Sequence, residues 1–237
     1  MTAIACRVSA KDIVVAADGL ARDLSGEAED IQCAYKSVRL SERLCLACTG
    51  VSDHAKEVLE ALDPRVADLD PDDPFRDWEN RYFPLEVGFG EALSIVKRVQ
   101  QKTLLDALRE MKNEANPIAI VTAFFLFCKS DASSSYAVVT SRKEDGGWKQ
   151  HFQGDTYSSG DSREAILVGG LEPNCTAYEL TLNAARDRRY TKTADGLVEG
   201  IRKAAELSGA ALGINRNVLV RRASKQFKPS WAWCSKC

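Results

Sequence analysis

The residues that could do chemistry in this chain stand close to its start. In MTAIACRVSAKDIVVAADG a threonine follows Met1 and Asp18 closes the second apolar run, with Lys36 and Gly50 further along. Removal of Met1 is easy when the next side chain is as small as threonine's, and it would leave Thr2 with a hydroxyl and a free α-amine on one residue. An α-amine ordinarily titrates at about 7.7 to 8.0, so Thr2 could act as a nucleophile carrying its own base. A lysine ammonium near the hydroxyl would favour its deprotonation. A backbone N–H at Gly50, where glycine allows close approach, could donate to the oxyanion of a tetrahedral intermediate. The plainer reading makes Thr2 the lead residue of an ordinary hairpin, and Asp18 with Lys36 a structural buried pair. The choice turns on whether the elements carrying these residues bring them to one place.

AIACRVS and DIVVAAD are apolar, β-branched-rich runs around a polar turn at Ala10 and Lys11, and they predict a hairpin. With the turn centred there, antiparallel partners sum to about 21, which sets Thr2 near Gly19 and next to Asp18. AYKSVRL and RLCLACTG predict a second hairpin about Ser41 and Glu42, with Lys36 opposite Ala47 and with Thr49 and Gly50 at the same end. Alternation along AYKSVRL puts Lys36 on the apolar face with Val38 and Leu40. There it is expected to be partly desolvated and kept charged by Asp18.

From Ser52 the period lengthens. Ala55, Val58, Leu59 and Leu62 predict one amphipathic helix, and Leu93, Val96, Leu104, Leu108 and Met111 a longer one. Residues 64–88 between them, rich in Asp and Pro with scattered aromatics, are expected to form a surface insertion. Strands are predicted at IAIVTAFFLFC, SYAVVTSR, WKQHFQG and AILVGG. Two more helices follow, marked by Tyr178, Leu182 and Ala185 and then by Leu197, Ile201 and Ala205, before a last strand pair from GINRNVLVRR. The tail, about 228–237, is expected to be mobile. Helix pairs arriving between groups of antiparallel strands each need a sheet face to cover. The order therefore predicts an α+β fold over residues 1–237 as one domain: two stacked antiparallel sheets with helix pairs outside, a four-layer αββα sandwich.

Composition narrows the function. In 237 residues, 32 Lys and Arg stand against 34 Asp and Glu, without long runs of one sign, so neither a nucleic acid nor a membrane surface is expected as partner. The N-terminus lacks a basic region followed by an apolar stretch, and the expected compartment is the cytoplasm. Eight cysteines are too few for a disulfide-stapled module of this length. Cys45 and Cys48, three apart on a strand, point to opposite faces and cannot join Cys234 and Cys237 around one zinc. Most of the cysteines are expected to be buried small hydrophobes. His54, in the first turn of a helix, reads as a solvated or capping residue, and neither a metal nor a cofactor is expected. Arg221, Arg222, Lys225 and Lys228 read as a solvated basic stretch.

Thr2 leading a strand, DIVVAADG with Asp18, Lys36 before a strand, and LACTGVSDHAKEVLEAL as strand, glycine turn and helix together resemble the proteasome β-subunit family of N-terminal-nucleophile hydrolases. The ADG stretch is especially similar to the peptidase of the bacterial two-component protease. The resemblance covers about the first sixty residues with specificity and the remainder loosely. It implies the four-layer fold, threonine peptidase activity on peptides or unfolded proteins, and homo-oligomeric rings or related assemblies, with an ATP-dependent unfoldase as candidate partner. Thr2 carries over as nucleophile, Asp18 and Lys36 as the pair that orients and polarises it, and Gly50 as oxyanion donor, with Thr49 as the alternative. Departures follow: where the family has a Gly-Ser-Gly type turn, this chain reads GGLEP with Glu172, and the family's aspartate and serine correspond to Ala205 and Ser208. The resemblance thus admits two other roles, a catalytically silent assembly subunit and a hydrolase of small amides.

Overall fold

The computed structural model describes residues 2–21, 30–50, 52–110, 122–145, 147–171, 175–187, 193–212 and 214–231. Strands β1 (Ile4–Ser9) and β2 (Ile13–Asp18) pair with Ile4 opposite Ala17 and Val8 opposite Ile13, the register expected of a turn at Ala10 and Lys11. The second hairpin joins β3 (Ser37–Arg39) to β4 (Leu44–Thr49), and its register differs by one from the expected one: Ser37, not Lys36, lies opposite Ala47. The cause is the turn, where the N–H groups of Leu40 and Ser41 both reach the Leu44 carbonyl, so its centre lies later than Ser41 and Glu42. Lys36 sits just before β3, with its carbonyl accepting from Cys48 N–H at 3.0 Å.

Helix α1 (Ser52–Leu62) buries the expected stripe of Ala55, Val58, Leu59 and Leu62. A second helix, α2 (Pro74–Arg81), lies within the segment expected to be a surface insertion. It starts where Asp73 accepts from Arg76 N–H and Pro74 takes the first turn, a position that needs no amide donor. Phe75 and Trp78 from this helix, with Leu69 and Leu85 on either side, are buried in the same core as α1 and α3 (Phe89–Glu110), so the segment, exposed over much of its length, is anchored in the core by a helix and four apolar side chains. Its aspartates and prolines mark caps and turns around those four apolar anchors.

Strands β5 (Ala123–Lys129), β6 (Ser133–Glu144) and β7 (Gly147–Ser158) complete an antiparallel sheet in the order β3-β4-β5-β6-β7. The expected start of β5 at Ile118 and the end of α3 at Met111 lie outside the described residues. Strand β8 (Glu164–Gly169), helices α4 (Thr176–Arg186) and α5 (Thr193–Leu212), and strands β9 (Val218–Ala223) and β10 (Phe227–Trp231) follow, giving a second antiparallel sheet in the order β10-β9-β2-β1-β8. Residues 228–231, expected in a mobile tail, are paired in β10 with β9; 232–237, with Cys234 and Cys237, lie outside the described residues.

The protein is thus α+β with two five-stranded antiparallel sheets. Alternation along the strands supplies a face for each of three cores. Val38, Leu46, Phe124 and Leu126 meet α1, α2 and α3; Ile4, Cys6, Val15, Cys45 and Phe127 pack between the sheets; Ala5, Val14, Ala16 and Val220 meet α5, with Ala177 and Ala185 of α4 in the same cluster. Cys45 and Cys48 fall into different cores, as their spacing requires. Burial pushes both thiols up to about 12, so neither is a nucleophile at neutral pH. Cys33 departs from the expected buried free thiol: it is disulfide-bonded. Among the described residues no helix is long and apolar enough to cross a membrane, and no cluster of His, Cys, Asp and Glu suits a metal.

Candidate active site at the head of the first hairpin

The first hairpin fixes Thr2 and Asp18 against each other. Ala3 N–H donates to Asp18 Oδ1 at 2.7 Å, Leu20 N–H to Asp18 Oδ2 at 3.0 Å, and Asp18 N–H returns to the Ala3 carbonyl at 3.0 Å. Asp18 is fully buried, and that burial raises its pKa above the ordinary carboxylate value, opposed by the charge of Lys36 and by the two amide donors. With both oxygens taken by backbone, the carboxylate anchors the strand that carries Thr2 and supplies the negative potential that Lys36 answers.

Lys36 arrives from the second hairpin. Its Nζ donates to Thr2 Oγ1 at 3.1 Å, so a cation from the segment before β3 meets the hydroxyl at the start of β1. Thr2 is itself 2 % exposed. The structure therefore brings together the three residues the sequence singles out, although Lys36 stands opposite Cys48 rather than Ala47.

Gly50 follows β4 with a φ of +110°, and a Cβ there would come 2.5 Å from Thr122 Oγ1. Only glycine fits both the left-handed backbone and this close approach. Gly50 and Lys36 share the wall of a small cleft with Ala34, Cys48, Pro74 and Phe75, so α2 closes one side of it. Thr49 turns inward instead, its hydroxyl accepting from Ala123 N–H at 3.3 Å, which leaves the exposed Gly50 the better placed of the two toward the cleft. His54 Nδ1 lies 2.7 Å from Thr122 Oγ1, behind the same turn, and is engaged rather than solvated.

Glu172 lies outside the described residues. Ser208 falls within α5, its side chain outside the described set, and Ala205 is half-buried on the same helix with no carboxylate to offer. Two residues bypassed in the sequence prove close to Thr2 or Lys36. Gly170, φ +76°, packs so tightly that a Cβ would fall on the Thr2 carbonyl oxygen. Tyr35, next to Lys36, gives its N–H to both oxygens of Asp73 at 3.1 and 3.2 Å, while the guanidiniums of Arg76 and Arg221 lie 4.9 and 5.3 Å from its ring centre.

Arg221 corrects the expectation of a solvated basic stretch. It is fully buried, with Nε donating to Ser37 Oγ at 3.0 Å, a terminal nitrogen to the Ser37 carbonyl at 2.8 Å, and an ion pair to Glu79 at 2.7 Å. Its neighbour Arg222 faces out and pairs with Asp12 at 2.9 Å. The alternation of β9 separates the two: Leu219 and Arg221 lie on one face and Arg222 on the other. No family model and no curated protein matches the chain.

Proposed function

We propose that this chain is an N-terminal threonine hydrolase of the proteasome β-subunit type, folded as a four-layer αββα sandwich, and that it cleaves peptide bonds through an acyl-enzyme on Thr2 after Met1 is removed. The observation that carries this reading is the 3.1 Å hydrogen bond from Lys36 Nζ to Thr2 Oγ1 at a hairpin end anchored by Asp18. A lysine drawn from another hairpin onto one threonine hydroxyl does little for a strand end but much for a nucleophile. Helices on the outer faces of two stacked sheets support the layered reading.

In the reaction the Thr2 hydroxyl oxygen attacks the scissile carbonyl carbon while its proton passes to the Thr2 α-amine. The Lys36 ammonium offsets negative charge at the hydroxyl oxygen, and the Gly50 N–H donates to the oxyanion. Collapse breaks the C–N bond, the protonated α-amine returns its proton to the leaving amine, and an ester remains on Thr2. Water, deprotonated by the same amine, then attacks the ester carbonyl carbon, the C–O bond to Thr2 breaks, and the amine returns the proton to the Thr2 oxygen as the acid product leaves. The substrates are peptides or unfolded proteins. The working form is a homo-oligomer, a ring or related assembly in the cytoplasm, with an ATP-dependent unfoldase as candidate partner.

The test is intact mass followed by reaction with a peptide epoxyketone, which needs both the hydroxyl and the free amine of an N-terminal threonine. Loss of Met1 and a single covalent adduct on Thr2 are expected, with Lys36→Ala slowing adduct formation by about a hundredfold or more. Retained Met1, or a processed chain that forms no adduct, overturns the reading. The absent carboxylate at Ala205 favours a second reading, a catalytically silent assembly subunit, whose signature is a processed, assembled and unreactive protein.

A further inference from the structure

We propose that Asp73 is a positioning residue for Lys36: by accepting the Tyr35 N–H at the head of α2, it sets the backbone from which Lys36 reaches the Thr2 hydroxyl. This rests on the reading of Lys36 as the partner of a reactive Thr2. The segment 34–36 is held at each of its residues. Ala34 N–H donates to the Gly19 carbonyl at 2.7 Å, tying it to the residue after Asp18, and the Lys36 carbonyl accepts from Cys48 N–H at 3.0 Å. Between them, Tyr35 gives its N–H to a carboxylate from a different element, at 3.1 and 3.2 Å. A lysine side chain has four rotatable bonds, so a 3.1 Å contact at its tip is reproducible only if the backbone at its root is fixed.

Asp73 does two jobs, and its Oδ1 takes part in both. As N-cap it accepts from Arg76 N–H at 3.3 Å and pairs with Arg76 Nε at 3.1 Å; as clamp it accepts from Tyr35. Arg76 in turn reaches the Cys33 carbonyl and stacks over Tyr35, while Glu79, one turn on, pairs with Arg39 at 2.7 Å and with Arg221. Helix α2 is therefore bonded to the stretch 33–39 along its length, and Asp73 is the contact beside Lys36. The charged groups that bear on its carboxylate are Arg76 on α2 and Asp70 from the loop before it; burial, the largest influence, pushes its pKa up to about 6. Protonation turns one accepting oxygen into a donor, which the Tyr35 N–H cannot use, and so the grip on Tyr35 loosens as pH falls through that range.

The experiment compares the full chain with Asp73→Asn and Asp73→Ser. Both are good N-caps, so α2 is kept, but serine is too short to reach the Tyr35 N–H. In the unmodified protein, NMR of the Tyr35 amide and of the Lys36 side-chain nitrogen, followed from pH 4.5 to 7.5, is expected to show both moving with one midpoint near 6. Both are expected to be flat over that range in the two variants. Epoxyketone adduct formation in Asp73→Ser is expected to fall about tenfold or more at saturating reagent, with the half-saturating concentration unchanged. Lys36 signals that titrate alike in the variants and the parent, or an adduct rate in Asp73→Ser equal to the parent's, overturn the proposal. If the parent forms no adduct at all, the hydrolase reading fails, and the shared or separate titration of Tyr35 and Lys36 still decides whether Asp73 governs the lysine.

Discussion

Glycine 170 limits what can stand at the head of the first strand. Its φ of +76° costs an ordinary side chain about 1–2 kcal/mol, and its Cβ would land on the Thr2 carbonyl. Gly160 has a φ of +95° with nothing within 4 Å, so it isolates the conformational part of that cost. Gly170→Ala should therefore destabilise by more than about 2 kcal/mol and Gly160→Ala by only about 1 kcal/mol, as urea midpoints would show. Asp73 carries a pH signature with a definite sign. Its folded pKa of about 6 stands above the ordinary 3.8, so the folded state holds the proton longer. The resulting stabilisation is full below about pH 3.8 and is lost as pH rises through about 6. Between those limits the unfolding free energy of the unmodified protein should fall relative to Asp73→Asn by on the order of 3 kcal/mol, measured by urea unfolding at a series of pH values. Thr2 and Asp18 were legible at this scale because a short turn sets the register of a hairpin. Gly170 was not, because a glycine's clash partner is a matter of tertiary approach.

Between elements the sequence is readable where a periodic face is long and unreadable where a contact crosses sheets. Helix α1 shows its stripe in the sequence; α2, with eight residues, buries only Pro74, Phe75 and Trp78 and has too little length to display a period. Its start was nonetheless written as Asp73-Pro74, an N-cap followed by proline in the first turn. Arg221 could not be seen in advance, since its partners Ser37 and Glu79 come from β3 and α2. Such a buried pair is costly to break on one side and cheap to replace on both. Glu79→Leu alone should lose about 3–5 kcal/mol, whereas Glu79→Leu with Arg221→Met should lose distinctly less, by the same urea measurement. The Arg222–Asp12 pair, half-exposed at the arginine, should be worth at most about 1 kcal/mol.

For the molecule as a whole, the strand and helix order carried the α+β architecture, because each apolar face had to find cover. What the order did not carry is how far apart in the chain the supports of one small region lie. Asp18 and Lys36 come from the first two hairpins, Asp73 and Glu79 from α2, Gly170 from the end of β8, and Arg221 from β9, which is also the second neighbour of β2. This has a consequence for synthesis on the ribosome. A nascent chain that has emerged as far as residue 217 possesses Thr2, Asp18 and Lys36 but has no β9 beside β2 and no guanidinium to tie Ser37 to Glu79. Its N-terminal hairpin is a strand pair with one flank open, and long-range pairing of this kind forms slowly. A chain truncated after residue 217 should accordingly show no ordered Lys36 side-chain signal and form no threonine adduct. If Thr2 is the nucleophile proposed above, it would become reactive only once the chain beyond residue 217 has been made and β9 has paired with β2, a timing that keeps it inert while its own unfolded chain is the nearest substrate.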